Sequence, residues 1–208
     1  PTPAKPGAES LLATETVDLD ETARLVDKLI RDGASGIIAL GTTGECATLS
    51  QADYEVFVAC ILETVARRVP TVIGASAPGG HEIARRLRLL TELKADATLL
   101  GLPQWQPVTT GMAVGLYAEV SAGFPRIAIM VYANARAFRY SFPAEFWAEI
   151  ARSAPTVTAA KMSRPKDLPG LLASTGHRIN FMPNESTVHA VHAQAPEAIR
   201  SCWATAAA

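Results

Sequence analysis

Lys161 is the residue whose position points most directly to chemistry. It closes the apolar run of residues 156–160, and the chain turns polar at residues 163–165. Burial at a strand end disfavours the charged form of an amine, so such a lysine can lose its proton near neutral pH and form a Schiff base with a ketone. A lysine that extends from a strand end into water gives the same pattern, and Lys161 taken alone favours this simpler interpretation.

Two further segments carry groups that would suit a keto-acid substrate. Residues 41–45 have the sequence Gly-Thr-Thr-Gly-Glu and Tyr132 ends another apolar run. The glycines let backbone N–H groups approach a carboxylate closely, and the hydroxyls of Thr42 and Thr43 can donate as well. A tyrosine can relay protons to and from a reacting oxygen. An ordinary strand-to-helix turn and a half-buried core tyrosine remain alternatives for these residues taken singly.

Short apolar segments alternate with amphipathic segments along nearly the whole chain. Strands are predicted over residues 36–40, 71–74, 97–101, 127–132, 156–161, 179–182 and 199–205, and residues 1–3 are a candidate for the end of one more. Helices are predicted over residues 18–33, 50–68, 80–94, 109–122, 143–154, 165–175 and 186–194, with N-caps at Asp18 and Ser50. Buried strands that alternate with helices predict a parallel sheet covered by helices.

The strand count separates two α/β architectures. Seven strands and part of an eighth fit a (β/α)8 TIM barrel better than an open doubly wound sheet. No Gly-x-Gly-x-x-Gly follows a predicted strand, which removes the main reason to prefer a dinucleotide-binding domain. We therefore predict one barrel domain over residues 1–208. Because the chain starts at the first strand and stops on three alanines after the last, we expect this barrel to be incomplete at both ends.

The carboxyl ends of the strands in a parallel barrel form its catalytic face. The predicted strand ends on this face are residues 41–45, residues 101–105, residues 132–134, Lys161 and residues 183–185. Together these residues supply a nucleophilic amine, a phenol, donors for an anion and an aromatic wall. Their combination favours an enzyme that acts on a 2-keto acid.

Composition excludes several other classes of function. A net charge of −1 and a pI near 6.5 give no electrostatic basis for binding nucleic acid or an anionic membrane. The longest apolar runs are too short to span a bilayer, and no basic-then-apolar signal segment opens the chain. Three widely spaced cysteines indicate reduced thiols and a cytoplasmic protein. The four histidines are His81, His177, His189 and His192. No ligand-like groups accompany them in the sequence, so we predict no metal site.

The Gly-Thr-Thr-Gly-Glu segment, Tyr132 and Lys161, with the spacing between them, resemble the N-acetylneuraminate lyase / dihydrodipicolinate synthase superfamily of class I, Schiff-base aldolases. The resemblance covers nearly the whole chain. It implies a TIM barrel, a pyruvate-type Schiff base on Lys161 without any added cofactor, and Tyr132 as proton relay. It also implies that the turn of Thr42, Thr43 and Gly44 holds the keto-acid carboxylate. Members usually form homotetramers and carry a further helical C-terminal segment.

Within this superfamily, several segments distinguish between substrates. Dihydrodipicolinate synthases have an Asn-Val-Pro-x-Arg-Thr stretch after the tyrosine, whereas this chain places Arg136 one position away among different neighbours. Trp105 and Phe138 fit poorly with the polar pocket of a neuraminate lyase. The chain instead resembles the trans-o-hydroxybenzylidenepyruvate and trans-2'-carboxybenzalpyruvate hydratase-aldolases of aromatic degradation, in residues 44–49, 101–105, 132–134, 142–149 and 202–203.

The implied reaction converts an arylidene-pyruvate to an aromatic aldehyde and pyruvate. Asn134 would position the attacking water or the new hydroxyl, and Trp105 would stack on the aryl ring, although core packing explains Trp105 equally well. Arg136 or Arg139 could bind an acidic ring substituent, but solvated loop arginines are the simpler explanation. Another pyruvate aldolase, a sugar-acid dehydratase and a non-catalytic keto-acid-binding barrel remain the alternatives.

Overall fold

Six parallel strands form the centre of the molecule. The computed structural model describes residues 1–103 and 105–205. Each strand pairs in parallel with the next one along the chain, so that the sheet order is β1-β2-β3-β4-β5-β6 and the sheet curves into part of a barrel. The strands are β1 Ile37–Ala39, β2 Thr71–Gly74, β3 Ala97–Leu100, β4 Ala128–Tyr132, β5 Val157–Lys161 and β6 Asn180–Met182. This sequential order is that of a (β/α) barrel and confirms the predicted fold class.

Helices connect the strands and cover the outer face of the sheet. They are α1 Leu19–Arg31, α2 Gln51–Val65, α3 Gly80–Glu92, α4 Thr110–Gly123, α5 Ala135–Phe138, α6 Ala144–Ser153, α7 Leu168–Ser174 and α8 Val188–His192. Asp18 and Ser50 are the N-caps of α1 and α2, as predicted: their side chains accept from the N–H groups of Glu21 at 2.9 Å and Asp53 at 3.1 Å. The sequence did not predict the short helix α5.

The prediction of a last strand over residues 199–205 was wrong. Residues 196–198 form a 3-10 helix, and residues 199–205 make only one parallel bridge, between Trp203 and Asn184. Two backbone bonds form there, from the N–H of Trp203 to the oxygen of Pro183 at 3.0 Å and from the N–H of Glu185 to the oxygen of Trp203 at 2.9 Å. A strand needs a continued ladder of such bonds, and the neighbouring backbone does not provide it.

The predicted strand end at residues 1–3 is likewise not a strand. Ala4 instead forms a single antiparallel bridge with Val17, which leads the chain into α1. The buried hydroxyl of Thr2 donates to the oxygen of Gly44 at 2.9 Å, so the first residues still contact the turn after β1.

Aromatic packing on the outer face of the sheet holds α4 and α6 against it. Trp147 of α6 is fully buried, donates through its indole N–H to the oxygen of Phe142 at 3.0 Å, and packs edge-on to Phe181 of β6 at 4.9 Å between centroids. Phe146 packs on Tyr117 of α4 at 5.7 Å. Truncation of a buried aromatic of this size costs about 3–5 kcal/mol, so this cluster is a main source of stability for the scaffold.

None of the helices in the described part of the chain combines the length and the apolar character that a membrane span requires.

Candidate active site

Lys161 and Tyr132 lie side by side at the carboxyl ends of two neighbouring strands. They are register partners in the parallel pairing of β5 with β4, and the N–H of Ala133 donates to the oxygen of Lys161 at 3.0 Å. The Nζ atom of Lys161 is 4.7 Å from the centroid of the Tyr132 ring. Backbone pairing therefore places the two residues side by side, so that the amine and the phenol ring can meet.

The environment of Lys161 favours the neutral amine. The side chain is half-buried, and this burial lowers its pKa to about 8, although the carboxylate of Glu185 acts in the opposite direction. Among the described residues, Lys161 forms no salt bridge. A substantial fraction of the amine is therefore unprotonated, and able to attack a ketone, at pH values just above neutral.

Trp203 lies at the candidate site, although the sequence pattern did not place it there. The centroid of its ring is 3.1 Å from the Nζ atom of Lys161. Its indole Nε1 is buried and has no hydrogen-bond partner among the described residues. The indole face stabilises the ammonium form, so it opposes the effect of burial on Lys161. A ketone carbon must approach the amine from another side, because no atom fits between Nζ and the ring. Trp203 falls inside the strand predicted over residues 199–205 and not at a strand end, so the sequence gives no signal for its role.

The Tyr132 hydroxyl lies between two polar side chains. The hydroxyls of Thr42 and Tyr132 are 2.8 Å apart and either can be the donor. The amide nitrogen of Asn134 donates to the Tyr132 oxygen at a longer 3.4 Å. The amide oxygen of Asn134 accepts from the N–H of Ala137 at 3.1 Å and so caps α5. The capping bond orients Asn134, and the pair of hydroxyls forms a two-step path for a proton.

The turn after β1 presents backbone donors beside these hydroxyls. It is closed by bonds from the N–H of Glu45 to the oxygen of Thr42 at 3.1 Å and from the N–H of Cys46 to the oxygen of Gly41 at 3.3 Å. Within residues 1–103 and 105–205, the N–H groups of Thr43 and Gly44 donate to no other group. A Cβ atom on Gly44 would come within 2.9 Å of the backbone nitrogen of Leu40, so only glycine fits there. The turn is thus able to hold a carboxylate.

Phe138 forms the apolar floor beneath the phenol. It is fully buried on α5 and packs edge-on to Tyr132 at 5.4 Å between ring centroids. A Cβ atom on Gly101 would lie 1.9 Å from the Cζ atom of Phe138, so the ring occupies the space that the glycine leaves at the end of β3. Phe138 is therefore a support for Tyr132, whereas the sequence had indicated only an apolar pocket residue.

The structure does not bring the remaining candidate residues against Lys161. Trp105, after β3, is 79% exposed and packs on no other ring of the described chain. Arg136 is exposed on α5, and Arg139 is exposed at its end with a φ of 51°. Gln104 of the same predicted strand end lies outside the described residues. Their predicted roles toward an aryl ring stay predictions.

The described residues contain no cluster of three or more His, Cys, Asp or Glu side chains that could hold a metal ion. Cys46, next to the turn, is buried, and this burial raises the pKa of its thiol to about 11. The thiol is therefore protonated near neutral pH and does not compete with Lys161 as a nucleophile.

Comparisons with known proteins agree with this geometry. The chain is 39% identical, over all of its 208 residues and 62% of the relative, to a trans-O-hydroxybenzylidenepyruvate hydratase-aldolase of Pseudomonas putida. It is 36% identical over 161 residues, 77% of this chain and 48% of the relative, to a trans-2'-carboxybenzalpyruvate hydratase-aldolase of Nocardioides sp. (strain KP7). The chain thus spans about 60% of the length of the hydratase-aldolase relatives that it matches in full.

Two solved structures share the fold. The structure of PhdJ bound to substrate intermediate superimposes with a TM-score of 0.93 at 31% identity, over 98% of this chain and 64% of that one. A dihydrodipicolinate synthase from Aquifex aeolicus superimposes with a TM-score of 0.84, over 97% of this chain and 67% of that one. Its sequence identity of 20% means that this likeness concerns the fold alone. Residues 9–133 match the Dihydrodipicolinate synthetase family. The predicted superfamily is confirmed, and the chain belongs to the dihydrodipicolinate synthetase family.

Proposed function

We propose that this protein is a lyase, a hydratase-aldolase that cleaves arylidene-pyruvates to an aromatic aldehyde and pyruvate through a Schiff base on Lys161. The observation that carries the proposal is the half-buried Lys161, whose Nζ lies 4.7 Å from the Tyr132 ring centroid and whose pKa burial lowers to about 8. The names of the relatives at 36–39% identity supply the substrate class.

The first stage forms the iminium. The neutral amine of Lys161 attacks the C2 carbonyl carbon of the arylidene-pyruvate, and one proton passes from its nitrogen to the C2 oxygen. The resulting hydroxyl takes up a second proton and leaves as water. Tyr132 supplies that proton and regains one through the Thr42 hydroxyl, 2.8 Å away. The carboxylate of the substrate binds to the N–H groups of Thr43 and Gly44 and to the hydroxyls of Thr42 and Thr43.

The second stage adds water and breaks the carbon–carbon bond. The conjugated iminium makes the aryl-bearing carbon electrophilic, so that a water molecule adds there and gives an enamine. The added water loses a proton and the neighbouring carbon takes one up, which restores the iminium. Loss of the proton from the new hydroxyl drives the retro-aldol cleavage, which releases the aryl aldehyde and leaves an enamine on Lys161. The enamine is protonated at carbon and hydrolysed to pyruvate, which regenerates the amine. Tyr132 relays these protons, and Asn134, which contacts the Tyr132 oxygen at 3.4 Å, orients the water or the hydroxyl.

The aryl group would occupy the side of the site toward the loop after β3. Trp105 is exposed there and presents its ring to the solvent, where it can stack on a bound aryl ring. Arg136 would bind an acidic substituent on that ring through a charge-assisted contact. We further propose that residues 1–208 form one barrel domain of a cytoplasmic homotetramer. The family resemblance supports the single barrel and the tetramer. The free thiols of Cys46, Cys60 and Cys202 support a cytoplasmic location.

Borohydride trapping tests the proposal directly. Incubation of the full chain with pyruvate and borohydride should give a reduced adduct that mass spectrometry assigns to Lys161. Incubation with an arylidene-pyruvate should then release the matching aromatic aldehyde. The absence of any adduct on Lys161 would overturn the Schiff-base mechanism. An adduct without release of an aryl aldehyde would instead favour another pyruvate aldolase or a sugar-acid dehydratase.

A further inference from the structure

Arg86 is a buried cation that the reaction described above does not use. It lies on α3 and is only 5% exposed. Its guanidinium carbon is 4.3 Å from the centroid of the Tyr54 ring, and the nearest carboxylate oxygen, on Glu82, is 3.8 Å from its Nε, beyond hydrogen-bond distance. A buried charge is unfavourable unless other groups bond to it, so its actual partners indicate its role.

The Nη1 atom of Arg86 donates to carbonyl groups from two strand ends. It bonds to the oxygen of Cys46 at 2.8 Å and to the oxygen of Ser76 at 2.7 Å. Cys46 comes directly after the turn that follows β1, and Ser76 follows β2. The Ser76 hydroxyl accepts from the N–H of Gly101, after β3, at 2.8 Å. The Arg86 side chain therefore ties the turn after β1 to Ser76 after β2, and Ser76 in turn bonds to Gly101 after β3.

The thiol of Cys46 is not the main hydrogen-bond acceptor for Arg86. Its Sγ atom is 3.4 Å from Nη1, and it is directed to the oxygen of Ser76 at 3.2 Å. Burial raises the pKa of this thiol to about 11, so it is uncharged near neutral pH. The two carbonyl oxygens are the stronger acceptors, and both belong to the backbone of the site.

The turn after β1 needs such a restraint. Leu40 and Glu45, at its two ends, both have a φ of 60°, a conformation that non-glycine residues adopt only where their surroundings enforce it. The bond that closes the turn, from the N–H of Cys46 to the oxygen of Gly41, is 3.3 Å long. Arg86 holds the other polar group of Cys46, its carbonyl, and so fixes the end of the segment that carries the N–H groups of Thr43 and Gly44.

We propose that Arg86 is a positioning residue for the carboxylate of the keto acid, a role that rests on the function proposed above. Arg86 does not touch the substrate. It restrains the turn whose N–H groups at Thr43 and Gly44 would bind the carboxylate, so the carboxylate binds without reordering the backbone. Its removal is expected to weaken the binding of 2-keto acids and to leave the reactivity of Lys161 nearly unchanged.

The test measures borohydride trapping over a range of concentrations of pyruvate and of acetone, a ketone without a carboxylate. Arg86→Met should raise the pyruvate concentration that gives half-maximal trapping by about tenfold or more, because hydrogen bonds from a charged donor are lost. The maximal trapping rate should stay close to that of the wild type. Trapping of acetone should be nearly unaffected. Arg85→Met is the matched control, because Arg85 lies next to Arg86 on α3 with a side chain that is 56% exposed and paired with Glu55.

Arg86→Lys provides a second measurement, which decides the matter if Arg86→Met does not fold. It retains the charge but not the planar fork of donors, and should give a half-saturation between those of the wild type and Arg86→Met. An unchanged half-saturation for pyruvate, or an equal loss with pyruvate and acetone, overturns the role of Arg86. A wild-type protein that traps neither ketone overturns the proposed function itself, and the role of Arg86 with it.

Discussion

The keto-acid side and the aryl side of the candidate site are built differently. On the keto-acid side, Lys161 and Tyr132 sit on paired strands, and Thr42 is 2.8 Å from the phenol. The buried Arg86 ties the turn after β1 to the backbone of Ser76, which follows β2. Lys161 and Tyr132, which would act on the reacting atoms, are thus positioned by the pairing of their strands.

The aryl side lacks comparable restraints. Trp105 is 79% exposed in the loop after β3, and Arg136 is exposed on the four-residue helix α5. For the proposed reaction, the contrast predicts that the chemical steps depend on preorganised groups, whereas the choice of aryl group depends on side chains that can adapt. Substitutions on the keto-acid side should therefore abolish the reaction, and those on the aryl side should change its substrate preference.

The largest expected effect is that of Lys161→Met. It removes the nucleophile and should lower turnover by about 10⁴-fold or more and eliminate the borohydride adduct. Because the pKa of the native lysine is lowered, the folded protein carries a penalty at pH 7 that is relieved as the pH rises above about 8. The variant should therefore be no less stable than the wild type at pH 7 in thermal unfolding. Lys166→Met, at an exposed lysine, is the control and should retain full activity.

Tyr132→Phe should have the next largest effect. It removes the hydroxyl that bonds to Thr42 but keeps the ring that packs on Phe138 at 5.4 Å. Loss of the proton relay should lower kcat by about 10²- to 10⁴-fold with little change in stability. Tyr140→Phe is a matched control, since the Tyr140 hydroxyl also contacts a threonine, Thr110, at 3.1 Å but lies elsewhere. Similar kinetic losses in both variants would argue against a specific role for Tyr132.

The pH dependence of trapping should reflect the depressed pKa of Lys161. Since only the neutral amine attacks, the rate should rise about tenfold per pH unit below the pKa and level off above about 8. Glu185→Gln removes the carboxylate that raises this pKa, and should move the midpoint to lower pH. Trapping rates measured between pH 6 and 10 for the wild type and for Glu185→Gln give both pH profiles. A rate that still rises above pH 9.5 would show an ordinary lysine, whose pKa is about 10.4.

Trp105→Ala tests the aryl side and should have a smaller effect. The loss of a stacking contact should raise KM for arylidene-pyruvates by about three- to tenfold. Trapping of pyruvate, which has no aryl group, should be unchanged. Steady-state kinetics with an arylidene-pyruvate, beside pyruvate trapping, measures both quantities. A parallel decrease in pyruvate trapping would place Trp105 within the keto-acid side and remove the distinction drawn between the two sides.

Arg136→Ala should have the smallest effect and the most selective one. Turnover of a carboxyl-substituted arylidene-pyruvate should fall several-fold, about tenfold at most for one exposed charged contact, while a hydroxyl-substituted substrate should be little affected. An equal loss with both substrates would mean that Arg136 does not recognise the acidic substituent.

Much of this site could be predicted from local patterns. Lys161 and Tyr132 end apolar runs, and a parallel barrel brings the ends of neighbouring strands together, so their proximity followed from the fold class. Asp18 and Ser50 marked helix starts because a cap acts on N–H groups two or three residues away. The strand predicted over residues 199–205 was wrong because an apolar pattern does not reveal whether a pairing partner continues beside it.

The sequence by itself determined the alternation of strands and helices, the reactive residue types and the family, because each of these depends on local spacing. Only the tertiary structure decided which distant groups meet. It placed the ring of Trp203 against the amine of Lys161 and the guanidinium of Arg86 on the carbonyl of Cys46. Such contacts join residues 40 or more positions apart, and they form only when packing of the whole sheet brings their elements together.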